Sequence, residues 1–347
     1  MLSGRLWPAH FRPLPDELFS SWVVRLALAN GDKLHSFTKH TIGNTPLWNR
    51  DPDRSVSERS LAAFALKTNT TLPLLRNTTL RRYEGSIAAR VFMTTASAQI
   101  TTLGIHHRRR RHFGLQFCRM CLAEDNEPYF RTRWRLAMMP LCTKHRVVLA
   151  DSCTNCEAPA MPHRCDVSDR DHAGTGSLST CFECNSSLFE GELVSPDEDA
   201  FRMQNKLERS LCRLPLAGGA DYTNLSPSLF DLVRGLFHLC SNSSKGARLR
   251  VQLASNAPHL EWPKVPEGVM IESMRARTRA SYLSHVGWLV QDWPHRMREL
   301  VQMRTLNPCA LIPENSGPLG PWVESYRKDI APQAHQAKRL NRTTLRK

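Results

Sequence analysis

The sequence predicts a mainly α protein with small β elements in its middle third. Three observations carry this. Apolar residues recur at helical spacing before about residue 112, and they do so again after about residue 190. Between these zones, eight of the eleven cysteines crowd into Cys118–Cys184, a stretch with few long periodic segments and many Pro, Ser, Thr, Asp and Asn. The chain of 347 residues is long enough for two or three cores. The expected division is 1–112, an N-terminal helical, helix-turn-helix-like domain; 113–190, a tandem metal-binding region; and 191–347, a C-terminal helical domain with a basic tail.

In the first zone, Pro13, Pro15 and Asp16 lead into ELFSSWVVRLALANG. Its Leu18, Phe19, Trp22, Val23, Leu26 and Ala27 share one helical face, and Asn30-Gly31 supplies the stop. A second helix is expected after Ser57, with Leu61, Phe64 and Ala65 inward. A turn at Thr68–Thr71 then leads to LPLLRNTTLRRYEG. Helix, short turn, helix fits a helix-turn-helix, and equally any small bundle. The third zone opens on Ser195-Pro196-Asp197-Glu198, with Ser195 as N-cap and Pro196 at the first helical position. Further helices are expected at SLFDLVRGLFHLC, at RTRASYLSHVGWLVQDW up to Trp293-Pro294, and at HRMRELVQM.

The middle zone carries the chemistry. Cys118 and Cys121, Cys142 and His145, Cys153 and Cys156, and Cys181 and Cys184 form four pairs, each separated by two residues. Such spacing aims two soft donors at one ion from a tight turn. Borderline-soft Zn²⁺ suits thiolate and imidazole, so two structural zinc ions are the expected cofactors. Gaps of 20 residues (Cys121 to Cys142) and 24 residues (Cys156 to Cys181) suit zinc-ribbon or treble-clef modules. Chain locality favours sequential pairing, Cys₃His then Cys₄; a cross-braced arrangement would join the first pair to the third. His163 and Cys165 read as spectators, and Cys212, Cys240 and Cys309 as packing residues. Four protein donors per ion leave no position for water, which marks a structural site. Metal binding of this kind stabilises the fold by on the order of 10 kcal/mol.

The net charge of +15 and pI near 9.7 point to a polyanionic partner, nucleic acid above all. The densest run is His106-His107-Arg108-Arg109-Arg110-Arg111-His112, and Arg108, Arg109, Arg110 and Arg111 are the candidate nucleic-acid contacts. Arg131, Arg133 and Arg135 alternate, which would place them on one face of a strand, exposed or open to phosphate. No apolar run approaches the ~18 residues of a membrane span. MLSGRLWPAHF lacks a secretory h-region, so a cytoplasmic, nucleoid-associated location in a bacterium is expected. There is no Walker A sequence, no G-x-S-x-G, no H-E-x-x-H and no carboxylate set for a two-metal nuclease, so an enzyme is not expected.

PLPDELFSSWVVRLALANG resembles the opening of the TniQ family, a proline-rich lead followed by a Ser-Trp-x-x-Arg-x-Ala helix. FCRMCLAEDNEPYFRTRWRLAMMPLCTKHRVVLADSCTNC is similar to that family's zinc region, with Trp134, Leu141 and Leu149 at its apolar positions. YLSHVGWLVQDWP resembles the helix in TniQ and TnsD proteins that ends in Trp-Pro. Arg119 departs from the pattern, standing where many members carry Pro. The resemblance implies a transposition accessory protein that selects the target, by binding DNA or by joining an RNA-guided effector complex, and recruits an AAA+ ATPase. A homodimer is compatible with this. The alternative is a zinc-containing, sequence-specific DNA-binding regulator unconnected with transposition.

Overall fold

The computed structural model describes residues 6–88, 90–92, 96–103, 105–106, 109–110, 112–164, 177–213, 229–241, 243–258, 260, 262–263 and 269–303. These form two compact units. The first is built on Met1–Ser195 and takes in Glu272–Arg277. The second is built on Pro196–Leu214, Asp221–Ile271 and the chain from Thr278.

In the first unit, α1 (Phe19–Ala29) is buried almost all round. The predicted stripe of Leu18, Phe19, Trp22, Val23, Leu26 and Ala27 is at most 1% exposed. Asn30 closes it, its amide N–H and its side-chain Nδ2 both donating to the Leu26 carbonyl at 3.1 and 2.8 Å. Gly31 follows at φ +68°, the left-handed turn that glycine adopts without steric cost. Around it lie α2 (Leu34–Ile42), α3 (Pro52–Ser55) and α4 (Glu58–Thr68). Phe64 of α4 meets Phe19 edge-on at 5.5 Å and lies 5.8 Å from Trp7. Ser57 caps α4 by accepting from the Ser60 amide at 3.1 Å, and Asn69 ends it in the left-handed region. The predicted turn then leads to α5 (Leu72–Arg76). Five residues span only ~7.5 Å. Leu75 is buried, and the exposed Arg76 is paired with Glu58 at 2.9 Å. Sequence periodicity missed α2, whose inward anchors are little more than Leu34 and Phe37.

Two short strands, β1 (Ile105–His106) and β2 (Arg109–Arg110), pair antiparallel. The next elements are α6 (Arg119–Glu124) and the hairpin of β3 (Leu141–Cys142) with β4 (Val147–Val148). The expected strand with three arginines on one face does not form. Thr132–Arg135 is a 3₁₀ turn, and each arginine is engaged. Arg131 chelates Asp125 at 2.8 and 3.0 Å and lies over the rings of Tyr129 and Trp134. Arg133 Nε donates to Asp16 at 2.6 Å. Arg135, wholly buried, donates to Asp51 at 2.6 Å and to Asp53 at 3.3 Å. Alternation in sequence cannot tell an exposed face from one matched by distant carboxylates.

These pairs bind the helices to residues 125–135. Asp16, at φ +61°, accepts the Thr132 amide at its carbonyl (2.7 Å) and takes Arg82, Arg133 and the Thr132 hydroxyl on its carboxylate. Buried Glu17 takes the Leu14 amide, the Ser21 hydroxyl and Arg25, and Arg25 reaches on to Glu127. Ser21 Oγ accepts the Phe130 amide at 3.0 Å, and Trp22 Nε1 donates to the Phe11 carbonyl at 3.1 Å. The Ser-Trp-x-x-Arg motif is thus a set of buried staples.

The second unit contains α7 (Glu198–Arg213), α8 (Leu229–Ser241), α9 (Ser243–Asn256), α10, which starts in the first unit (Ala276–Gln291), and α11 (His295–Gln302). The expected cap of α7 shifts by two residues: Asp197, not Ser195, accepts the Asp199 amide at 2.8 Å. Phe230, Val233, Leu236, Phe237 and Cys240 of α8 are fully buried, with Leu283 and Val286 of α10. α10 passes the start of α7 at Gly287, where a Cβ would lie 2.3 Å from the Asp199 carbonyl oxygen. Cys240 packs as expected. Cys212 is exposed, a correction: the polar face of α7 carries it. Cys309 lies outside the described residues. No helix among the described residues is long and apolar enough to cross a membrane.

Candidate metal centres

The donor atoms of Cys118, Cys121, Cys142 and His145 lie within 4.8 Å of one another, and so do those of Cys153, Cys156, Cys181 and Cys184. The four pairs are grouped in sequential order. Among the described residues these are the only such groups, and His163 is in neither; it stacks on Trp48 at 5.6 Å. Cys165 lies outside the described residues.

Local backbone explains why each pair converges. Cys118 is the N-cap of α6, its Sγ accepting the Cys121 amide at 3.5 Å, so both sulfurs sit at the positive end of that helix. Cys142 ends β3, His145 lies in the turn, and Arg146 at φ +52° brings the chain back into β4. The second group consists of two matching knuckles. Glu157 and Asn185, one residue past Cys156 and Cys184, adopt φ +59° and +60°. Their amides donate to the Cys153 and Cys181 carbonyls at 3.1 and 3.0 Å, and the Cys153 and Cys181 amides donate to Ala158 and Ser186. Residues 152–159 and 180–187 are therefore two copies of one turn, closed by isolated bridges.

The spacing fits a tetrahedral ion. Bonds of ~2.3 Å to sulfur and ~2.0 Å to nitrogen set sulfurs about 3.8 Å apart and sulfur from nitrogen about 3.5 Å. Cys121 and Cys142 are 3.8 Å apart, and Cys153–Cys184 and Cys156–Cys181 are each 3.6 Å apart. His145 Nδ1 is 3.3, 3.4 and 3.5 Å from the sulfurs of Cys118, Cys121 and Cys142. Both groups can hold a metal ion, with all four corners supplied by protein. Hydrogen bonds from Cys118 and Cys121 push the Cys142 thiol down to about 2, and the same sharing pushes Cys121 up.

Two contributors were not read from the sequence. Glu124 accepts His145 Nε2 at 2.9 Å and Lys144 Nζ at 2.6 Å; this sets the imidazole tautomer that leaves Nδ1 free for an ion. Its position three residues after Cys121 on α6 was the available signal. Gly191, at φ +126°, lies so close to the first knuckle that a Cβ would sit 2.2 Å from Thr154 Oγ1. Gly191→Ala is expected to lower thermal stability and loosen the Cys153–Cys184 group; an unchanged melting curve would show that Thr154 yields freely.

Arg108 and Arg111 lie outside the described residues, as do the side chains of Arg109 and Arg110. Compared with known proteins, the chain matches the TniQ family over residues 8–149. The match covers α1 through β4 and all four donors of the first group, and ends before Cys153. No curated protein matches the chain.

Proposed function

We propose, from the premise that residues 8–149 belong to the TniQ family and tie the chain to transposition, that it is a non-enzymatic accessory protein. It selects the target and recruits an AAA+ ATPase, and its two donor groups are structural zinc sites. The observation carrying this is the closure of both groups by four protein donors at tetrahedral spacing, the first of them inside the TniQ segment. Three thiolates with one imidazole, and four thiolates, are donor sets that suit zinc over harder divalent ions. A closed zinc site polarises no substrate. Its work is to hold surfaces, and the staples at Asp16, Glu17, Ser21 and Arg25 do the same from the helical side.

Target DNA, met directly or within an RNA-guided complex, is the proposed polyanion for a chain of net charge +15. Arg108, Arg109, Arg110 and Arg111 are the proposed phosphate contacts. Neutralising all four is expected to weaken DNA binding and flatten its dependence on salt, measured by fluorescence anisotropy across a salt series. No change in either would remove that run from the interface. Recruitment is tested by pull-down with a purified AAA+ transposition ATPase. Tight binding to a short DNA operator with no ATPase binding would favour a regulator instead.

A further inference from the structure

Arg119 stands between the two cysteines of the first pair, yet its guanidinium serves the other metal group. Nη1 donates to the carbonyls of Leu188 (2.5 Å) and Glu190 (2.7 Å), and Nη2 to that of Ser152 (3.3 Å). Ser152 immediately precedes Cys153. Leu188 closes the second knuckle, its amide donating to the Ser179 carbonyl at 2.6 Å. The Glu190 carbonyl also accepts Thr154 Oγ1 at 3.0 Å, from inside the first knuckle. One side chain thus ties both halves of the Cys₄ group to a helix start capped by Cys118. Phe117 lies under the guanidinium at 5.5 Å. Proline at this position would supply none of these donors.

We propose that Arg119 couples the two metal sites, so that an ion held at Cys118, Cys121, Cys142 and His145 strengthens the hold of Cys153, Cys156, Cys181 and Cys184 on theirs, and the reverse. This rests on the zinc reading of both groups. An ion at the first site fixes Cys118 and the first turn of α6, and that sets where the Arg119 side chain starts. Its three carbonyl bonds then hold the segments before Cys153 and after Cys184. Without the first ion the helix start loosens and the carbonyls lose a preplaced donor. Such coupling is reciprocal by thermodynamic necessity.

The test is native mass spectrometry of the full chain during stepwise zinc removal by a chelator. In the unmodified protein the two ions should leave together, with little one-ion species. In Arg119→Lys, which keeps the charge but not the fork of donors, the first ion should leave about tenfold more easily, within the usual range for coupled sites. The second should leave as before, so a one-ion species accumulates. Arg119→Met, which keeps the stem over Phe117, should behave alike. A variant profile identical to the unmodified protein, or both ions leaving more easily without a one-ion species, would overturn the coupling. An unmodified chain holding fewer than two ions would overturn the zinc reading beneath it.

Discussion

Cys142→Ser is expected to remove one metal ion per chain and to open residues 117–150. Cys142 sits at the end of a two-residue strand, and the β3–β4 turn is otherwise linked to α6 through Glu124, which accepts Lys144 Nζ and His145 Nε2. Backbone bonds also hold the hairpin: Phe117 and Ala150 exchange two, at 2.7 and 2.8 Å, the Leu149 amide donates to Pro140 at 2.8 Å, and the Val148 amide donates to Val194 at 2.8 Å. Modules with so little regular structure lean on the ion, which is worth on the order of 10 kcal/mol. Loss of even a few kcal/mol would lower the melting temperature of a unit this size by roughly 10 °C. Hydrogen exchange is the direct readout. Amides of Phe117, Leu149 and Ala150 should exchange much faster, while those within α8 of the second unit stay protected. Unchanged protection at Ala150 would show that the hairpin holds without its ion.

Arg135→Met is expected to be nearly as damaging, for a different reason. Arg135 is wholly buried, and Asp51 and Asp53 beside it are 8% and 1% exposed. Removing the guanidinium leaves two carboxylates facing each other out of water, a cost of about 3–5 kcal/mol for a broken buried pair. Replacing Asp51 and Asp53 with asparagine in the same chain should restore part of the loss; no recovery would mean that Arg135 acts through packing alone. The network also predicts a pH signature. Burial, and then the charge of Asp51, push the Asp53 carboxyl up to about 6 from its ordinary 3.8. A carboxyl raised in the fold keeps its proton where the unfolded chain has released it. Its contribution is therefore complete below pH 3.8 and is lost as pH rises through 6. Asp53→Asn should flatten stability across that window in denaturant titrations.

Legibility in the sequence followed the strength of the local signal. α1 was legible because six apolar residues repeat on one face and Asn30-Gly31 ends it. The grouping of the eight donors was legible because their spacing is short-range and chemically specific. α2 was not, since two anchors in nine residues make no period. The role of Arg135 was not, because its partners lie 82 and 84 residues away and nothing near it in sequence announces them. Arg119 was noticed as a departure from the family, but its purpose appears only when the chain brings Leu188 and Glu190 to it, 69 and 71 residues on. Long-range charge pairing is invisible to periodicity. Here it decides how the segment that matches the TniQ family is held together.

The most direct test of the account is a metal count on the purified chain, by native mass spectrometry with elemental analysis. Two zinc ions per chain are expected, both lost only under chelation or acid. One ion, none, or a metal other than zinc would contradict it.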